Sequence, residues 1–209
     1  MLNINLEGKT ALITGAAGQL GRVMCEVLAQ CGADIIIHYN SNADQARLIE
    51  EKIKFIGRNA FSVQADITNR DSVENMKKRV SEFKMPDIII NNAVIQYEWK
   101  PLMEQDIKDY YSQFESCVMQ TVYIAKAFAP HMINQNYGRI IAINTECAAL
   151  AEAGCSAYTS AKRGLDGIVR CLAKELGPNN ITVNQIAPGW TISFADRENG
   201  CLLYTSPSP

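Results

Sequence analysis

Tyr158 and Lys162 stand four residues apart in the run Ser156-Ala157-Tyr158-Thr159-Ser160-Ala161-Lys162. On a helix that spacing puts both side chains on one face, one turn apart, so a phenol and an ammonium can serve one site. The chemistry they offer is proton transfer. A phenol ordinarily titrates near pH 10, and a neighbouring cation favours the phenolate and brings the group toward useful acid–base work. The same spacing also fits an ordinary solvated helix face, and the surrounding chain has to decide between the two.

The elements that would carry the pair alternate between strand and helix. Apolar residues 10–14 end at Gly15, and an amphipathic stretch from Gln19 to about Cys31 is closed by Gly32, which reads as strand, glycine turn, helix. Isoleucine-rich 34–39 is a second strand, and Asn40-Ser41-Asn42-Ala43-Asp44 can cap a helix running to about Phe55. Residues 61–65 alternate as a third strand, followed by a charged helix over 70–83. Beyond Pro86, 87–90 form a fully apolar strand, and a loop with Trp99 and Pro101 leads to a long helical region over 104–134. A strand over 139–144, the helix of the Tyr–Lys pair over 157–176 and a sixth strand over 181–186 complete the order, which stops at Pro188-Gly189. Continuous apolar strands alternating with helices predict a doubly wound α/β fold, a parallel sheet covered on both faces. No internal repeat or linker divides the chain, so 1–200 is expected to be a single domain.

Composition narrows the partners. The 209 residues are 47% hydrophobic and 20% charged, ordinary for a globular protein, and 20 basic against 22 acidic residues leave a net charge of −2. No basic stripe predicts nucleic-acid binding, and no apolar run reaches membrane-spanning length. The N-terminus lacks a signal pattern, and the seven cysteines contain no Cys-x-x-Cys pair. A small-molecule ligand, a cytoplasmic location and no metal site are the resulting expectations. His38 and His131 read as ordinary residues because neither has a companion ligand in its pattern.

Three segments lie where an α/β sheet binds ligands. Between the first strand and helix, Gly15, Ala16, Ala17, Gly18, Gln19, Leu20 and Gly21 let backbone N–H groups and a helix start approach a pyrophosphate, although small residues also serve tight packing. Asp66 closes the third strand, where it fits either a contact to a base or a helix-start turn. Asn92 and Ala93 close the fourth, at the carboxyl edge that forms the ligand crevice.

Taken together these motifs resemble the short-chain dehydrogenase/reductase family over about Leu6 to Phe194. Thr14-Gly15 with Gly21 matches its cofactor loop, Asn91-Asn92-Ala93 its Asn-Asn-Ala-Gly motif, Tyr158 and Lys162 its Tyr-x-x-x-Lys pair, and Pro188-Gly189 the motif after the sixth strand. The resemblance implies a Rossmann fold, a nicotinamide cofactor and hydride transfer to or from a carbonyl or alcohol. Tyr158 would then be the acid in reduction and the base in oxidation, with Lys162 lowering its pKa and holding the nicotinamide ribose. Ile67 and Ser193 are further implied cofactor contacts, and the helices over 104–134 and 157–176 are implied faces of a homo-oligomer. This chain also departs from the pattern: Gln19 stands at the middle glycine of the loop with Gly18 one place earlier, Val94 replaces the glycine of the fourth-strand motif, Thr145 stands at the catalytic serine, and Cys117 is nearest the catalytic asparagine. A threonine hydroxyl still hydrogen-bonds a substrate oxygen, whereas a thiol is a poor hydrogen-bonding substitute.

Cofactor preference rests on the end of the second strand. Tyr39 occupies the position where NAD-specific members carry an acid, and Asn40, Ser41 and Asn42 offer partners to a 2′-phosphate, so NADP is expected with NAD possible. The family continues past Pro-Gly with a substrate segment and a seventh strand. Here the tail 201–209 resembles translated sequencing adapter, so the expected chain is truncated, with the last strand missing and activity impaired. A cofactor-binding sensor without turnover, and a lyase or epimerase on the same fold, stay open beside the oxidoreductase reading. Residues 94–103 and 146–154 would shape the substrate pocket.

Overall fold

The structure, a computed structural model, describes residues 4–189 and Thr191; Ser193 and the tail 201–209 lie outside the described residues. Six strands form one parallel sheet: β1 (Thr10–Ile13), β2 (Asp34–Tyr39), β3 (Ala60–Gln64), β4 (Ile88–Asn91), β5 (Gly138–Ile143) and β6 (Ile181–Ile186). Their spatial order is β3-β2-β1-β4-β5-β6, with Ile13 beside Ile37 on one side and Ile90 on the other. The order reverses between β1 and β4, and a crevice opens at the carboxyl ends of the strands at such a reversal.

The isoleucine runs are explained by the two covered faces. Successive side chains of a strand point to opposite sides, so Ile36 and Ile89 join Leu12 beneath helices α3 (Arg70–Phe83), α5 (Gln120–Asn134) and α7 (Ser156–Leu176). Ile35, Ile37, Ile88 and Ile90 pack on the other side with Cys25 and Ala29 of α1 (Gln19–Gln30) and Ile49 and Ile53 of α2 (Ala43–Phe55). The doubly wound expectation therefore holds. Polar side chains start α2 and α3, as Asn42 Oδ1 accepts from Gln45 N–H at 3.0 Å and Asn69 Oδ1 from Ser72 N–H at 2.9 Å.

Three local expectations change. Asp87 is not part of β4; its carboxylate accepts the Thr10 N–H at 3.0 Å and so ties down the start of β1, while Asn91 extends β4 at the other end. The expected single helix over 104–134 is α4 (Ile107–Phe114), a π-helical turn over Glu115–Met119, and α5. Gln120 explains that turn: its backbone N–H reaches Glu115 O, and its side-chain amide donates to Ser116 O, which replaces a regular rung of the ladder. A short helix α6 (Cys147–Leu150), not expected from the sequence, follows β5. Among the described residues β6 is an edge strand.

Candidate active site

The turn after β1 is shaped by close approach. Gly15 has φ +63, and a Cβ there would lie 2.9 Å from Ala93 Cα. A Cβ on Gly21 would lie 2.7 Å from Ala16 Cα, so this glycine lets α1 begin against the turn rather than facing a ligand. Helix α1 starts at Gly18 without a side-chain cap and without an acid in its first turn, which leaves its positive end available to an anion.

His38, read from the sequence as ordinary, holds this turn. It is 1% exposed. Gly15 N–H donates to its Nδ1 at 3.0 Å, Ala16 N–H donates to its carbonyl at 2.9 Å, and Nε2 meets Ala65 O at 3.0 Å. Nδ1 must accept and Nε2 must donate, which fixes one neutral tautomer. Burial drives the imidazole down to about 4, against the opposing influence of the Ala65 carbonyl and the Asp66 charge. Nothing in the pattern around His38 signals this role, because the partners of its ring, Gly15 and Ala65, follow β1 and β3 and are both backbone groups.

Asn92 stitches β4 to the same turn, its Nδ2 donating to Thr14 O at 2.9 Å and Gly15 O at 3.2 Å. Thr14 Oγ1 accepts from Asn92 N–H and Ala93 N–H at 2.9 and 3.0 Å. Gln120 completes the joint by donating to Ala93 O at 2.5 Å. Val94, at the position where the resemblance expects glycine, packs against Cys117 and Ala161.

A cavity of about 830 Å³ runs along the carboxyl edge of the sheet. Its wall includes Gly15, Gly18, Gln19 and Leu20 from the first turn, and Tyr39, Asn40 and Ser41 after β2. Asp66 and Ile67 after β3, and Asn92 and Ala93 after β4, continue that wall, which ends at Thr145, Tyr158, Lys162, Pro188 and Gly189. His38, Asn42 and Thr68 belong to it as well. Gly21 and Cys117 do not line it. Asp66 lines the cavity, and its Oδ1 accepts from Thr68 N–H and Thr68 Oγ1 at 2.9 and 2.7 Å, the helix-start turn that the sequence offered. Asn42 Oδ1 is engaged by the start of α2, and Arg47 pairs with Asp44 at 2.9 Å.

At the far end stands the Tyr–Lys pair. Lys162, 3% exposed, donates from Nζ to Ile143 O at 2.5 Å and lies 5.6 Å from the centre of the Tyr158 ring. Burial pushes its ammonium below the ordinary lysine value. The phenol of Tyr158 is pushed up to about 12, first by burial and then by Cys117, against a hydrogen bond from the Thr145 side chain. The expected lowering by Lys162 therefore does not govern the phenol here: Nζ is drawn to the Ile143 carbonyl, and desolvation outweighs charge. The phenol is held protonated, the form an acid requires. Cys117 sits in the π-helical turn, fully buried behind the pair, and burial raises its thiol while the Lys162 charge opposes that rise.

The loop after β4 positions Tyr158 in a way the sequence did not reveal. Tyr158 N–H, in the first turn of α7, donates to the Tyr97 hydroxyl at 2.9 Å, and the Trp99 and Tyr158 ring centres are 5.8 Å apart. Tyr110 and Ser156 hydroxyls meet at 2.6 Å beside them. Thr145 is oriented from below: its N–H donates to Asn144 Oδ1 at 2.9 Å, and Asn144 Nδ2 donates to Gln185 Oε1 at 2.7 Å. A second cavity of about 270 Å³ opens beside Tyr158 and Thr145, walled by Ile95, Gln96, Tyr97, Trp99 and Cys147 among others.

A turn of close-packed glycines at an uncapped helix start, on a reversing parallel sheet, fits a dinucleotide. A family model described as short chain dehydrogenase matches residues 9–200. The chain belongs to the short-chain dehydrogenase family. It is 33% identical to the hydroxynaphthalene reductase of Aspergillus fumigatus over 195 residues, which cover 93% of this chain and 70% of that protein. Among solved structures, a 7α-hydroxysteroid dehydrogenase complexed with NADH and 7-oxo glycochenodeoxycholic acid superposes with a TM-score of 0.87 at 30% identity, covering 94% of this chain and 76% of the other. A gluconate 5-dehydrogenase from Burkholderia cenocepacia, in complex with NADP and tartrate, gives 0.86 at 25% identity over 94% of this chain and 76% of the other. As a short-chain dehydrogenase, the chain is an NAD(P)-dependent oxidoreductase with a Rossmann-type sheet. No helix among the described residues is long and apolar enough to cross a membrane.

Proposed function

We propose that this short-chain dehydrogenase transfers a hydride between NADP(H) and a carbonyl or alcohol, with Tyr158 as the general acid and base. The observation that carries this reading is the position of Tyr158 and Thr145 on the wall shared by the two cavities. The longer cavity has the glycine turn at one end and fits the dinucleotide; the shorter one fits the carbonyl compound. The bound cofactor supplies the hydride.

Everything else falls to the chain's own groups. Thr145 donates a hydrogen bond to the substrate oxygen, Tyr158 gives its proton to that oxygen as the carbonyl is reduced, and in oxidation the phenolate takes the proton back. Lys162 holds the nicotinamide ribose and supplies the positive charge that stabilises the phenolate once Tyr158 has lost its proton.

The NADP preference is supported by the residues after β2. Tyr39, Asn40, Ser41 and Asn42 line the cavity with no carboxylate among them to repel a 2′-phosphate. A homo-oligomer is supported by Ile107, Tyr111 and Phe114 of α4, which are 67%, 68% and 47% exposed at helical spacing. Residues 1–200 are taken as one dinucleotide-binding domain, and the six free thiols of the described residues support a cytoplasmic location.

The sensor reading keeps one observation in its favour, the buried thiol of Cys117 at the place of a relay group. A coupled pair of measurements separates the two. NADPH oxidation that depends on an added carbonyl, and falls at least about 100-fold in Tyr158→Phe, is the enzyme's result. Tight cofactor binding with no turnover across a broad carbonyl panel is the sensor's.

A further inference from the structure

Asp166 follows Lys162 by one helical turn, as Lys162 follows Tyr158, so α7 carries a carboxylate on the row of the reacting pair. Both of its oxygens are engaged. Oδ2 accepts from Arg170 Nε at 2.7 Å, and Oδ1 accepts from the side-chain amide of Gln185 on β6. The Arg170 contact is a surface ion pair, with Arg170 72% and Asp166 26% exposed, of a kind that contributes little to stability. The Gln185 contact leads inward.

A carboxylate only accepts, so Gln185 must turn Nε2 toward Asp166 and leave Oε1 for Asn144. Oε1 accepts from Asn144 Nδ2 at 2.7 Å, and the same Nδ2 donates to Lys162 O at 3.2 Å. Both hydrogens of that amide are thereby used, and Asn144 Oδ1 accepts from Thr145 N–H at 2.9 Å. Every bond in the chain has one permitted direction. The Asn144 amide, 6% exposed, thus joins the backbone of Lys162 to that of Thr145. Thr145 Oγ1 accepts from Cys147 N–H at 3.2 Å, which leaves its own proton for Tyr158 or a substrate oxygen.

We infer that Asp166 is a positioning residue for the reaction: through Gln185 and Asn144 it holds the Thr145 backbone, and with it the hydroxyl that bonds the substrate oxygen, in place against Lys162. This rests on the carbonyl-reductase reading above. Asp166 and Gln185 line neither cavity. Their effect falls on turnover, because a displaced Thr145 hydroxyl loses its alignment in the transition state while the dinucleotide wall is untouched.

The test uses the full chain with NADPH and a panel of aldehydes and ketones, reading kcat, KM and cofactor affinity, with urea unfolding alongside. Gln185→Glu keeps an acceptor for Asn144 but sets a second carboxylate against Asp166, and is expected to lower kcat about tenfold while NADPH affinity stays within about twofold. Adding Asp166→Asn to Gln185→Glu replaces one of those carboxylates by an amide that donates to the other, and is expected to recover most of the loss. Asp166→Ala is expected to lower kcat about threefold or more, and Arg170→Ala to leave it within about twofold. Unchanged kcat in Asp166→Ala, no recovery in the double variant, or an equal loss in Arg170→Ala would overturn the inference while the reductase reading stands. A loss of kcat matched by a loss of NADPH affinity or a lowered urea midpoint marks a merely structural role and overturns it as well. If Gln185→Glu does not fold, Asp166→Ala against Arg170→Ala decides. Failure of the unaltered protein to reduce any member of the panel, with cofactor bound, overturns both readings.

Discussion

At the scale of single residues, the site depends on two buried groups whose ordinary titration has been suppressed. His38 is neutral in the folded chain with a value near 4, against about 6.5 when exposed, so below pH 6.5 the unfolded chain binds a proton that the folded chain refuses. Its contribution is intact above pH 6.5, falls progressively as the pH drops, and is lost by about pH 4, an amount on the order of 3 kcal/mol. Urea unfolding between pH 7 and 4 should show that loss, and His38→Gln should flatten it. His38→Gln retains a donor toward Ala65 O but lacks the Nδ1 acceptor for Gly15, so NADPH should bind more weakly even at pH 7, whereas His38→Asn, with its amide oxygen near the Nδ1 position, should bind more tightly than His38→Gln. Fluorescence titration checks the order. The contrast between His38 and Tyr158 also shows what residue types disclose. Tyr158 and Lys162 could be read from their four-residue spacing, because helix geometry turns spacing into adjacency. His38 and Tyr97 could not, since each acts on a partner brought near only by folding: Gly15 is 23 positions away from His38, and Tyr158 is 61 away from Tyr97.

At the scale of elements, the turn between β1 and α1 is held from three directions, by His38 in the neighbouring strand β2, by Asn92 beyond β4, and by the packing of Gly21 on Ala16. Gly15→Ala places a Cβ at positive φ and against Ala93, so it should cost about 1–3 kcal/mol in urea unfolding and weaken NADPH binding together. Normal affinity with lowered stability would separate the turn's packing from its role toward cofactor. Strands and most helices were legible because covered parallel strands read as continuous isoleucine runs and the helices as amphipathic ones. The π-helical turn was not, because it depends on the Gln120 side chain meeting Ser116 O and Ala93 O, a tertiary choice without a local signature. Asp87 was drawn into β4 by its apolar neighbours, whereas its carboxylate is committed to the Thr10 N–H of the adjacent strand.

At the scale of the molecule, the sheet reversal between β1 and β4 sets the longer cavity, and the loop after β4 fixes the start of α7 through Tyr97 beside the shorter one. The apolar stripe of α4 gives the oligomer proposal a direct check: Tyr111→Glu places a charge among Ile107 and Phe114 and should convert the native assembly to monomers in sedimentation velocity. A native chain that already sediments as a monomer would refute the interface. The central claim remains the proton chemistry of Tyr158 beside a nicotinamide. It is tested most directly by NADPH oxidation across a panel of carbonyl compounds in the unaltered chain and in Tyr158→Phe at matched cofactor saturation. The account predicts carbonyl-dependent turnover that falls at least about 100-fold on loss of the hydroxyl while cofactor affinity is kept; equal turnover in the two proteins would contradict it.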